Sequence, residues 1–595
     1  MESNRQKRRM PAGKAGKVLL NLLITLVVGA VYFYVALPAL NPQSGDFYTF
    51  IALLCLVYVI CALITSGFHL EAGASSPRGQ LKEYFRFIRQ QCLPIGILFL
   101  AMVVVVVVGQ VVSLPLFRAA AYRDLLTVEN GEFTQDISQI SFNEIPTLDR
   151  DSANYLGDRQ MGTLSDMVSQ FEYSNDSTQI NYQGRPVRVA PIAYADLIKW
   201  FTNRGGGLPA YVLVDMVSQE ATVVRLPEGE GMKYSFSEPL NRNIMRHLRF
   251  HYPTYMFDTP QFEINEEGTP YWIAPRIVKT IGLFGGTDID GAVLCNAITG
   301  ECQYYDIADV PTWVDNVYTP DLIMEQYNYH GTLVNGFLNS IFGQRDVTVV
   351  TDGSNYIALN DDVYMYTGVT SINSDQSNLG FLLSNQRTKE TKFYSAPGAT
   401  EAAAQASAQG VVQDLGYIAT FPLLLNIAGE PTYFIPLKDA ANLVKSYAMV
   451  NVARYDIVAT GNSVNQCEQE YVRLLADRGV TAQEELPQTQ TEGTVAEIRS
   501  AVLDGTTYYF LRLEDEEVFY AVSASASPTA VLLDVGDWVS IEYGLSEEEN
   551  GEIRSGSVLL DYRKSASSDA DRGVSPSSHA SDPESAPSSS PAPPR

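Results

Sequence analysis

The segment Leu93–Phe117 reads LPIGILFLAMVVVVVVGQVVSLPLF and contains no charged side chain. Two similar apolar runs precede it, at about 18–40 and 47–66. Each is long enough for a helix that crosses a hydrocarbon core of about 30 Å, which takes about 20 residues. The run of valines favours a helix only in lipid, where the backbone must satisfy its own hydrogen bonds. The sequence therefore predicts three transmembrane helices within 18–117. The alternatives are buried helices of a soluble protein and, for the first run, a cleaved signal peptide.

Basic residues flank the apolar runs unevenly. They cluster before the first run and between the second and third: Arg5, Lys7, Arg8, Arg9, Lys14 and Lys17, then Arg78, Lys82, Arg86 and Arg89. The connection 41–46 has only Asp46 as a charged residue. Because short basic segments stay on the cytoplasmic side, residues 1–17 are predicted to be a cytoplasmic tail and everything after Arg118 to lie outside. We expect a multi-pass protein of the cell membrane, with its N-terminus cytoplasmic and most of the chain extracytoplasmic.

The three apolar runs contain no Asp, Glu, Lys, Arg or His, the residues that usually mark ion and proton pathways in membranes. We interpret them as an anchor in the lipid bilayer, one that could also support a homo-oligomer. A channel or transporter component is the alternative. The formal net charge of −27 disfavours nucleic acid as a partner, because nucleic acid is itself a polyanion.

Two short motifs recur downstream of the third run. The first is a Gly-x-Pro turn with another proline five residues later: Gly184, Pro186 and Pro191; Gly268, Pro270 and Pro275; Gly429, Pro431 and Pro436. A weaker copy at Gly353 lacks the prolines. The second motif begins with Asp or Asn and ends with Glu: Asp215 to Glu220, Asn296 to Glu301, and Asn385 to Glu390, with a degenerate copy at Asn451. Both are typical of β-hairpins, because an Asp or Asn side chain can cap such a turn.

The hairpin motifs alternate with helical patterns. Gly300 suits a turn position with positive φ, whereas Gln219 and Lys389 would tolerate that position less well. Helical spacing of apolar residues occurs at Asp158–Phe171, Leu240–Phe250, Leu322–Phe342, Ala402–Val412 and Ser463–Leu475. The sequence predicts an α+β region at 118–480 made of four tandem units, each one helix and two hairpins, near 145–230, 238–310, 319–396 and 397–461. Each unit would present an antiparallel sheet with a helix on one face.

This helix-and-hairpins unit, with its Thr299-Gly300-Glu301 turn, resembles the PepSY-like fold of bacterial extracytoplasmic proteins. The overall plan resembles large membrane-anchored proteins of Firmicutes. The resemblance implies binding or restraint of partner proteins in the cell envelope, peptidases among them. It supplies no catalytic residues.

The C-terminal part differs in composition. Residues 491–562 contain short alternating strands at 494–498, 507–511, 518–522 and 538–543, and resemble a small OB-like β-barrel. Its acidic turn at 514–517 disfavours nucleic acid. Residues 563–595 are rich in Ser, Pro and Ala and are expected to be disordered.

Two histidines form the first candidate for a metal site. His247 and His251 are four residues apart on a predicted helix, a spacing that can hold a metal. Leu248 stands where the His-Glu-x-x-His motif has its glutamate, and Arg246 and Arg249 would repel a cation. We expect a solvated basic helix face here.

Acidic pairs form the second candidate. Asp288-Ile-Asp290 hints at calcium but lacks the later glutamate of an EF-hand, and Asp361-Asp362 is typical of a solvated turn. The chain contains no P-loop, dinucleotide fingerprint or Gly-x-Ser-x-Gly elbow. We therefore expect no catalytic, metal or cofactor site, and no enzyme.

Cys295 and Cys302 flank the turn of one hairpin and could form a disulfide on an oxidising outer surface. The other copies of the hairpin lack these cysteines, so the fold does not require the bond.

These observations predict a membrane-anchored extracytoplasmic interaction or scaffold protein of the bacterial cell envelope, which binds a protein or peptide partner through its repeats. The alternatives are an inhibitor or regulator of an envelope peptidase and a subunit of a transport complex.

Overall fold

The computed structural model describes residues 14–66, 77–137, 145–359, 362–372, 377–480, 488–503, 506–514, 516, 518–524, 526–544 and 553–564. The chain divides into two compact units, Met1–Arg478 and Gly479–Arg595, and each is described by itself. Most of the predicted cytoplasmic tail and of the Ser/Pro/Ala-rich tail lies outside the described residues.

Three long apolar helices open the first unit: α1 (Lys14–Ala36), α2 (Gly45–Ser66) and α3 (Pro77–Val112). Each is long and apolar enough to cross a membrane, over Gly16–Ala36, Gly45–Thr65 and Ile88–Val112. Their apolar side chains are mostly exposed on the protein, as a lipid-facing helix requires; Leu26 is 68% exposed and Ile64 72%. Asn21 is buried between α1 and α2 and accepts a hydrogen bond from the Thr65 hydroxyl at 2.9 Å.

Two of these helices end earlier than the sequence predicts. The first ends at Ala36 rather than near residue 40, because Leu37 adopts a positive φ of 52° immediately before Pro38. The third ends at Val112 rather than near residue 117. Pro115 starts a separate short helix, α4 (Pro115–Arg123), because a proline fits the first turn of a helix and disrupts its interior.

The rest of the first unit is a mixed α and β structure. Its further helices are α5 (Phe133–Asp136), α6 (Arg150–Gly162), α7 (Leu197–Asn203), α8 (Ile244–His251), α9 (Pro320–Thr332), α10 (Glu401–Val411) and α11 (Val464–Asp477). The observed helices differ from the predicted ones in extent. The first predicted stretch lies in α6 and the segment after it. The third is split into α9 and a short π-helical turn at Asn339–Gly343.

Four antiparallel sheets follow one another along the chain. After β1 (Val128–Gly131), sheet 1 contains β2 (Phe171–Tyr173), β3 (Thr178–Tyr182), β4 (Arg185–Tyr194), β5 (Ala210–Asp215) and β6 (Ala221–Arg225). Sheet 2 contains β7 (Met256–Phe257), β8 (Gln261–Ile264), β9 (Pro270–Ile281), β10 (Gly285–Asn296) and β11 (Cys302–Asp306). Sheet 3 contains β12 (Thr348–Val350), β13 (Asn355–Leu359), β14 (Asp362–Ser371), β15 (Ser377–Asn385) and β16 (Thr391–Ala399). Sheet 4 contains β17 (Ile418–Ala419), β18 (Leu423–Ile427), β19 (Glu430–Lys438), β20 (Val444–Asn451) and β21 (Val458–Gly461).

All four sheets share one topology. Two short strands pair with the same edge of one long strand, and the next two strands in the chain continue the sheet on its other edge as a meander. In sheet 1 the order is β2-β4-β5-β6, and β3 also pairs with β4. In sheet 3, β1 adds to β16 in parallel. A helix precedes each sheet in the chain: α6, α8, α9 and α10.

The Gly-x-Pro motif forms the turn into the long strand of sheets 1, 2 and 4. Gly184, Gly268 and Gly429 have φ of 74°, 78° and 78° there, a conformation that glycine adopts without strain. The carbonyl oxygens of Pro186, Pro270 and Pro431 each accept a bond from the residue after the Asp or Asn of the second motif. In sheet 3 the same bond runs from Gln386 N to Val363 O. β13 and β14 are the strands that correspond to those joined by the Gly-x-Pro turn, and their register pairs Leu359 with Asp362, so the assignment of Gly353 as the weaker copy is wrong.

The second motif closes the last hairpin of sheets 1, 2 and 3. The side chains of Asp215, Asn296 and Asn385 each accept two backbone N–H bonds at 2.9 Å from the residues two and three positions on. The glutamates Glu220, Glu301 and Glu390 close these turns through their backbone carbonyls, and their side chains are exposed. Gln219 and Lys389 adopt φ of 62° and 65°, close to the 77° of Gly300. The hydrogen bonds of the turn thus hold Gln219 and Lys389 at a positive φ that these residue types rarely adopt.

The second unit is a closed barrel of five strands: β22 (Gln488–Leu503), β23 (Thr506–Leu513), β24 (Phe519–Ser523), β25 (Trp538–Gly544) and β26 (Ile553–Arg563). The order is β22-β23-β24-β26-β25, and β24 and β26 run in parallel. Val495, Leu511, Val522 and Val539 form part of its core. The sequence did not predict β26.

The C-terminal ends of α1 and α3 contact sheet 2 and the segment before it. Arg249 on α8 donates to Leu37 O just after α1, and Leu40 N donates to Pro253 O at 2.8 Å. At the end of α3, the Ser113 hydroxyl oxygen accepts the N–H groups of Leu283 and Phe284, which form the β9–β10 tip, at 3.0 and 3.1 Å. The C-terminal ends of α1 and α3 therefore both contact the mixed α and β part of the first unit, residues 115–478, which we call the folded region.

Candidate functional site

A polar cavity of about 590 Å³ lies where loops of all four sheets meet the start of α6 and α9. Its lining includes 148–151 at the start of α6, 175–179 before and in β3, 259–262 before and in β8, 316 and 318–321 at the start of α9, and 354–356 at the start of β13. The volume is in the range of small-molecule sites, about 300–1,000 Å³. Because several of the helix-and-sheet repeats contribute side chains to it, the cavity forms only when the repeats are packed together.

Arg188 on β4 lines this cavity and is only 4% exposed. Its guanidinium donates long bonds, to the carbonyl and hydroxyl oxygens of Ser177 at 3.3 and 3.4 Å and to Gln179 Oε1 at 3.4 Å. Its Nε makes no hydrogen bond. All of its hydrogen-bond partners in the described part of the chain are neutral. Burial lowers the pKa of Arg188 to about 10, which still leaves the side chain cationic at neutral pH.

The position of Arg188 in the repeat is unusual. It lies two residues after Pro186 and opposite Val214 in the sheet register. The equivalent positions of sheets 2, 3 and 4 are Trp272, Met365 and Tyr433, and all three are at most 1% exposed. The fold thus accepts a large, uncharged core side chain at this position. A charge there is costly to bury, which points to a role other than packing.

A second arginine and a capping aspartate lie beside Arg188. Arg150 is the first residue of α6; its charge also disfavours protonation of Arg188, and its Nη2 donates to Asn175 O at 3.3 Å. Asp149 caps α6 by accepting from Ser152 N at 2.9 Å and is paired with Lys438 at 2.7 Å. Burial raises the pKa of Asp149, but the bonds from Lys438 and Ser152 outweigh burial and bring that pKa below its ordinary value.

Amide groups and one phenol complete the inner lining. Gln386 donates to Tyr318 O at 3.0 Å, and its buried Oε1 makes no hydrogen bond. Asn316 donates to Gln179 O at 2.9 Å. Burial raises the pKa of Tyr356, although the nearby positive charges of Arg188 and Arg150 oppose that shift. These neutral groups can donate or accept hydrogen bonds to a polar ligand.

A buried carboxyl group lies behind this lining. Glu263 on β8 is fully buried and accepts the backbone N–H groups of Asp315 and Asn316 at 2.9 Å and the Asn316 amide at 3.0 Å. Burial raises the pKa of Glu263 above its ordinary value and outweighs these three bonds. Glu263 therefore positions the segment before α9, which forms one wall of the cavity.

The remaining charged groups of the lining are the exposed acids Asp151, Asp176 and Asp321. The cavity thus has its buried charge positive and its exposed charges mostly negative, with Arg150 as the exposed exception.

The structure pairs Cys295 and Cys302 in a disulfide across the β10–β11 hairpin, where they are register partners. His247 lies beside them, with its Nε2 2.7 Å from Gly300 O. Among the described residues these three side chains are the one grouping with metal-ligand spacing, their ligand atoms lying within 4.8 Å of one another. While the disulfide is intact, neither sulfur is a thiolate that could bind a metal. Burial lowers the pKa of His247.

Of the acidic pairs noted in the sequence, Asp361 lies outside the described residues, and Asp288, Asp290 and Asp362 face cations of the protein. Asp290 is paired with Arg276, Asp288 with Lys389 at 2.7 Å, and Asp362 with Arg387 at 2.7 Å. These carboxylates stabilise contacts between strands and units. His251 points its Nδ1 to His247 O at 2.9 Å, a contact within α8.

Sequence reasoning missed Arg188. It stands among apolar residues of a strand that is buried on both faces, and a strand pattern alone does not distinguish it from an exposed arginine. Alignment of the four units would have identified it as a charge at a core position.

Several exposed apolar side chains lie on segments that adjoin the C-terminal ends of α1 and α3. We call Phe117, Ile198, Phe201, Leu338 and Phe342 the apolar collar; they are 62–82% exposed. Phe117 lies on α4, which follows α3, and Phe337 packs on a cluster with Tyr122 of α4. Ile198 and Phe201 lie on α7, just before Arg204. The Arg204 carbonyl accepts a hydrogen bond from Arg242. The neighbouring Asn241 accepts one from Tyr34 of α1, which links this segment to the end of α1.

Comparisons with known proteins yield little. No protein-family model matches the chain, and no curated protein matches it. Among solved structures, a Bombyx mori GH32 beta-fructofuranosidase mutant in complex with sucrose matches with 12% identity and a TM-score of 0.16, over 62% of this chain and 61% of that one. A similarity at that level carries no argument about fold or function.

Proposed function

We propose that this chain is a membrane-anchored interaction protein of the bacterial cell envelope, which holds its repeats outside the cell and binds a protein or peptide partner through them. The observation that carries the proposal is the side on which the folded region meets the helices. It contacts the C-terminal ends of α1 and α3, opposite the ends flanked by basic residues. With the basic flanks cytoplasmic, the folded region is extracytoplasmic.

The apolar collar supports the same arrangement. Its side chains adjoin the helix ends that contact sheet 2, where the surface of the bilayer would be. Aromatic and aliphatic side chains at this level can enter the boundary between headgroups and acyl chains. Large exposed apolar groups near these helix ends are unfavourable in water and indicate a contact with lipid or protein.

We propose further that the four units are PepSY-like and that the C-terminal barrel is OB-like. The repeated helix and meander support the first assignment, and the closed five-stranded barrel supports the second. We favour binding over catalysis because the buried charge of the described lining is Arg188, which can hold an anion but does not act as a base.

Site-specific photo-crosslinking in intact cells tests this function. A photoreactive residue would replace Ser218, Glu301 or Glu390, which lie on exposed hairpin turns of three different units. We expect a discrete adduct with an envelope protein at one or two of these positions, and lipid adducts at a control position, Ile198 of the apolar collar. Equal, unspecific adducts at all positions would contradict a dedicated interaction surface.

A further inference from the structure

We propose that the cavity around Arg188 binds a small zwitterion, an amino acid or short peptide whose carboxylate lies on Arg188 and whose cationic end points to the acids at the opening. This inference goes beyond the proposed function, because it does not depend on which side of the membrane the cavity occupies.

The first step is the carboxylate. Arg188 is buried, its bonds to Ser177 and Gln179 are all 3.3 Å or longer, and its Nε is unpaired. A guanidinium presents a planar set of donors that matches the two oxygens of a carboxylate. Trp272, Met365 and Tyr433 at the equivalent positions show that packing does not demand an arginine there. An anion supplied by a ligand would compensate the buried charge.

The second step is the net charge of the ligand. Asp149, Asp151, Asp176 and Asp321 line the cavity together with the two arginines, and Lys438 compensates only Asp149. A dianion such as phosphate would gain from Arg188 but would be repelled by the uncompensated acids. A monoanionic carboxylate with a neutral or cationic body avoids that repulsion. The lining therefore favours carboxylate over phosphate.

The third step is the rest of the ligand. Gln386 offers a buried, unpaired Oε1 to an N–H donor, as the amide of a peptide would be. Asp151 and Asp321 lie in the first turns of α6 and α9, at the exposed part of the lining, and can face an ammonium group. The cavity volume of about 590 Å³ leaves room for more than one amino-acid residue.

Isothermal titration calorimetry of the full chain in detergent micelles tests the proposal. The probes are alanine, the dipeptides Ala-Ala, Lys-Ala and Glu-Ala, the C-terminal amide of Ala-Ala, and inorganic phosphate. We expect Ala-Ala or alanine to bind and their comparison to distinguish peptide from free amino acid. The amide and phosphate should bind at least about tenfold more weakly, a difference of about 1.4 kcal/mol. Lys-Ala should bind more tightly than Glu-Ala.

Variants locate the binding on Arg188. Arg188→Gln should weaken Ala-Ala binding by about two orders of magnitude, as removal of one partner of a buried charge pair does. Arg185→Gln is the matched control on the same strand, because Arg185 is 62% exposed and paired with Asp215 outside the cavity lining. Its affinity should equal that of the unchanged chain. If Arg188→Gln does not fold, the exposed Arg150→Gln variant replaces it, with an expected loss of about tenfold.

Four results would overturn the proposal. They are no binding of any carboxylate probe, equal binding of Ala-Ala and its amide, tighter binding of phosphate than of Ala-Ala, and unchanged affinity in a folded Arg188→Gln variant. The comparison of acid and amide needs no variant, so a folding defect cannot leave the proposal untested.

Discussion

Replacement of Lys389 by glycine has two opposite effects on the free energy of unfolding: it relieves strain in a turn and it removes an ion pair. Lys389 occupies the turn of sheet 3 with φ of 65°, and glycine would relieve that conformation by about 1 kcal/mol. The Lys389 ammonium also contacts both carboxylate oxygens of Asp288 in sheet 2, at 2.7 and 2.8 Å, and donates to Leu125 O at 3.2 Å. The substitution removes these contacts.

The ion pair is the larger effect. The Lys389 and Asp288 side chains are 15% and 21% exposed, and loss of one partner of a buried pair costs about 3–5 kcal/mol. Asp288 keeps two donors, Ile289 N at 2.9 Å and the Gln326 amide at 3.2 Å, which reduce that cost to about 2 kcal/mol. We therefore expect Lys389→Gly to lower the free energy of unfolding by about 1 kcal/mol.

Chemical denaturation of the full chain in detergent micelles, followed by tryptophan fluorescence, measures this balance. Lys389→Met keeps the turn strain and loses the ion pair, so it should be about 1 kcal/mol less stable than Lys389→Gly. Adding Asp288→Asn to Lys389→Gly should restore part of the loss, because no unpaired carboxylate remains. A Lys389→Gly variant as stable as the original chain, or more stable, would refute the dominance of this contact between units.

Three further predictions concern the core, the buried acid and the collar. Trp272→Ala should destabilise the chain by about 3–5 kcal/mol, because Trp272 is 1% exposed between two units, and the same denaturation measures it. Burial raises the pKa of Glu263 above its ordinary value of 4.5, so the folded state holds a proton that the unfolded state releases. Stability should therefore fall as the pH rises above about 4.5, and Glu263→Gln should flatten that decline; an equal decline in the variant would contradict the assignment. In lipid nanodiscs, a fluorophore on Phe342→Cys should be quenched by brominated lipids and one on Gln469→Cys of α11 should not; equal quenching would argue against the collar.

The sequence was most informative where the physics is local. The apolar runs predict the three helices because their composition suits only lipid, and Asp215, Asn296 and Asn385 predict hairpin turns because each caps its own backbone. The residues at which the helices end were harder to predict from the sequence. The positive φ at Leu37 depends on the contacts that follow it and not on the preference of leucine.

Features that depend on pairing between distant strands could not be read from the sequence. Gly353 looked like a repeat glycine, but the bond from Gln386 N to Val363 O assigns that turn to another place in the chain. Lys389 was expected to fit its turn poorly, and its contact with Asp288 in another sheet explains why it is there. Arg188 stood among valines, and only the strand register places it opposite Val214 and equivalent to Trp272.

Cysteine labelling on intact cells tests the central claim, that the helices anchor a folded region outside the cell. Ser218→Cys places a thiol on an exposed turn of sheet 1, and Ser75→Cys places one in the connection between α2 and α3. Among the free cysteines, Cys55, Cys61 and Cys467 are buried and Cys92 is half-buried, so both variants also carry Cys92→Ser to lower the background. A membrane-impermeant maleimide should label Ser218→Cys before lysis and Ser75→Cys only after it. Labelling of Ser218→Cys only after lysis would contradict the account.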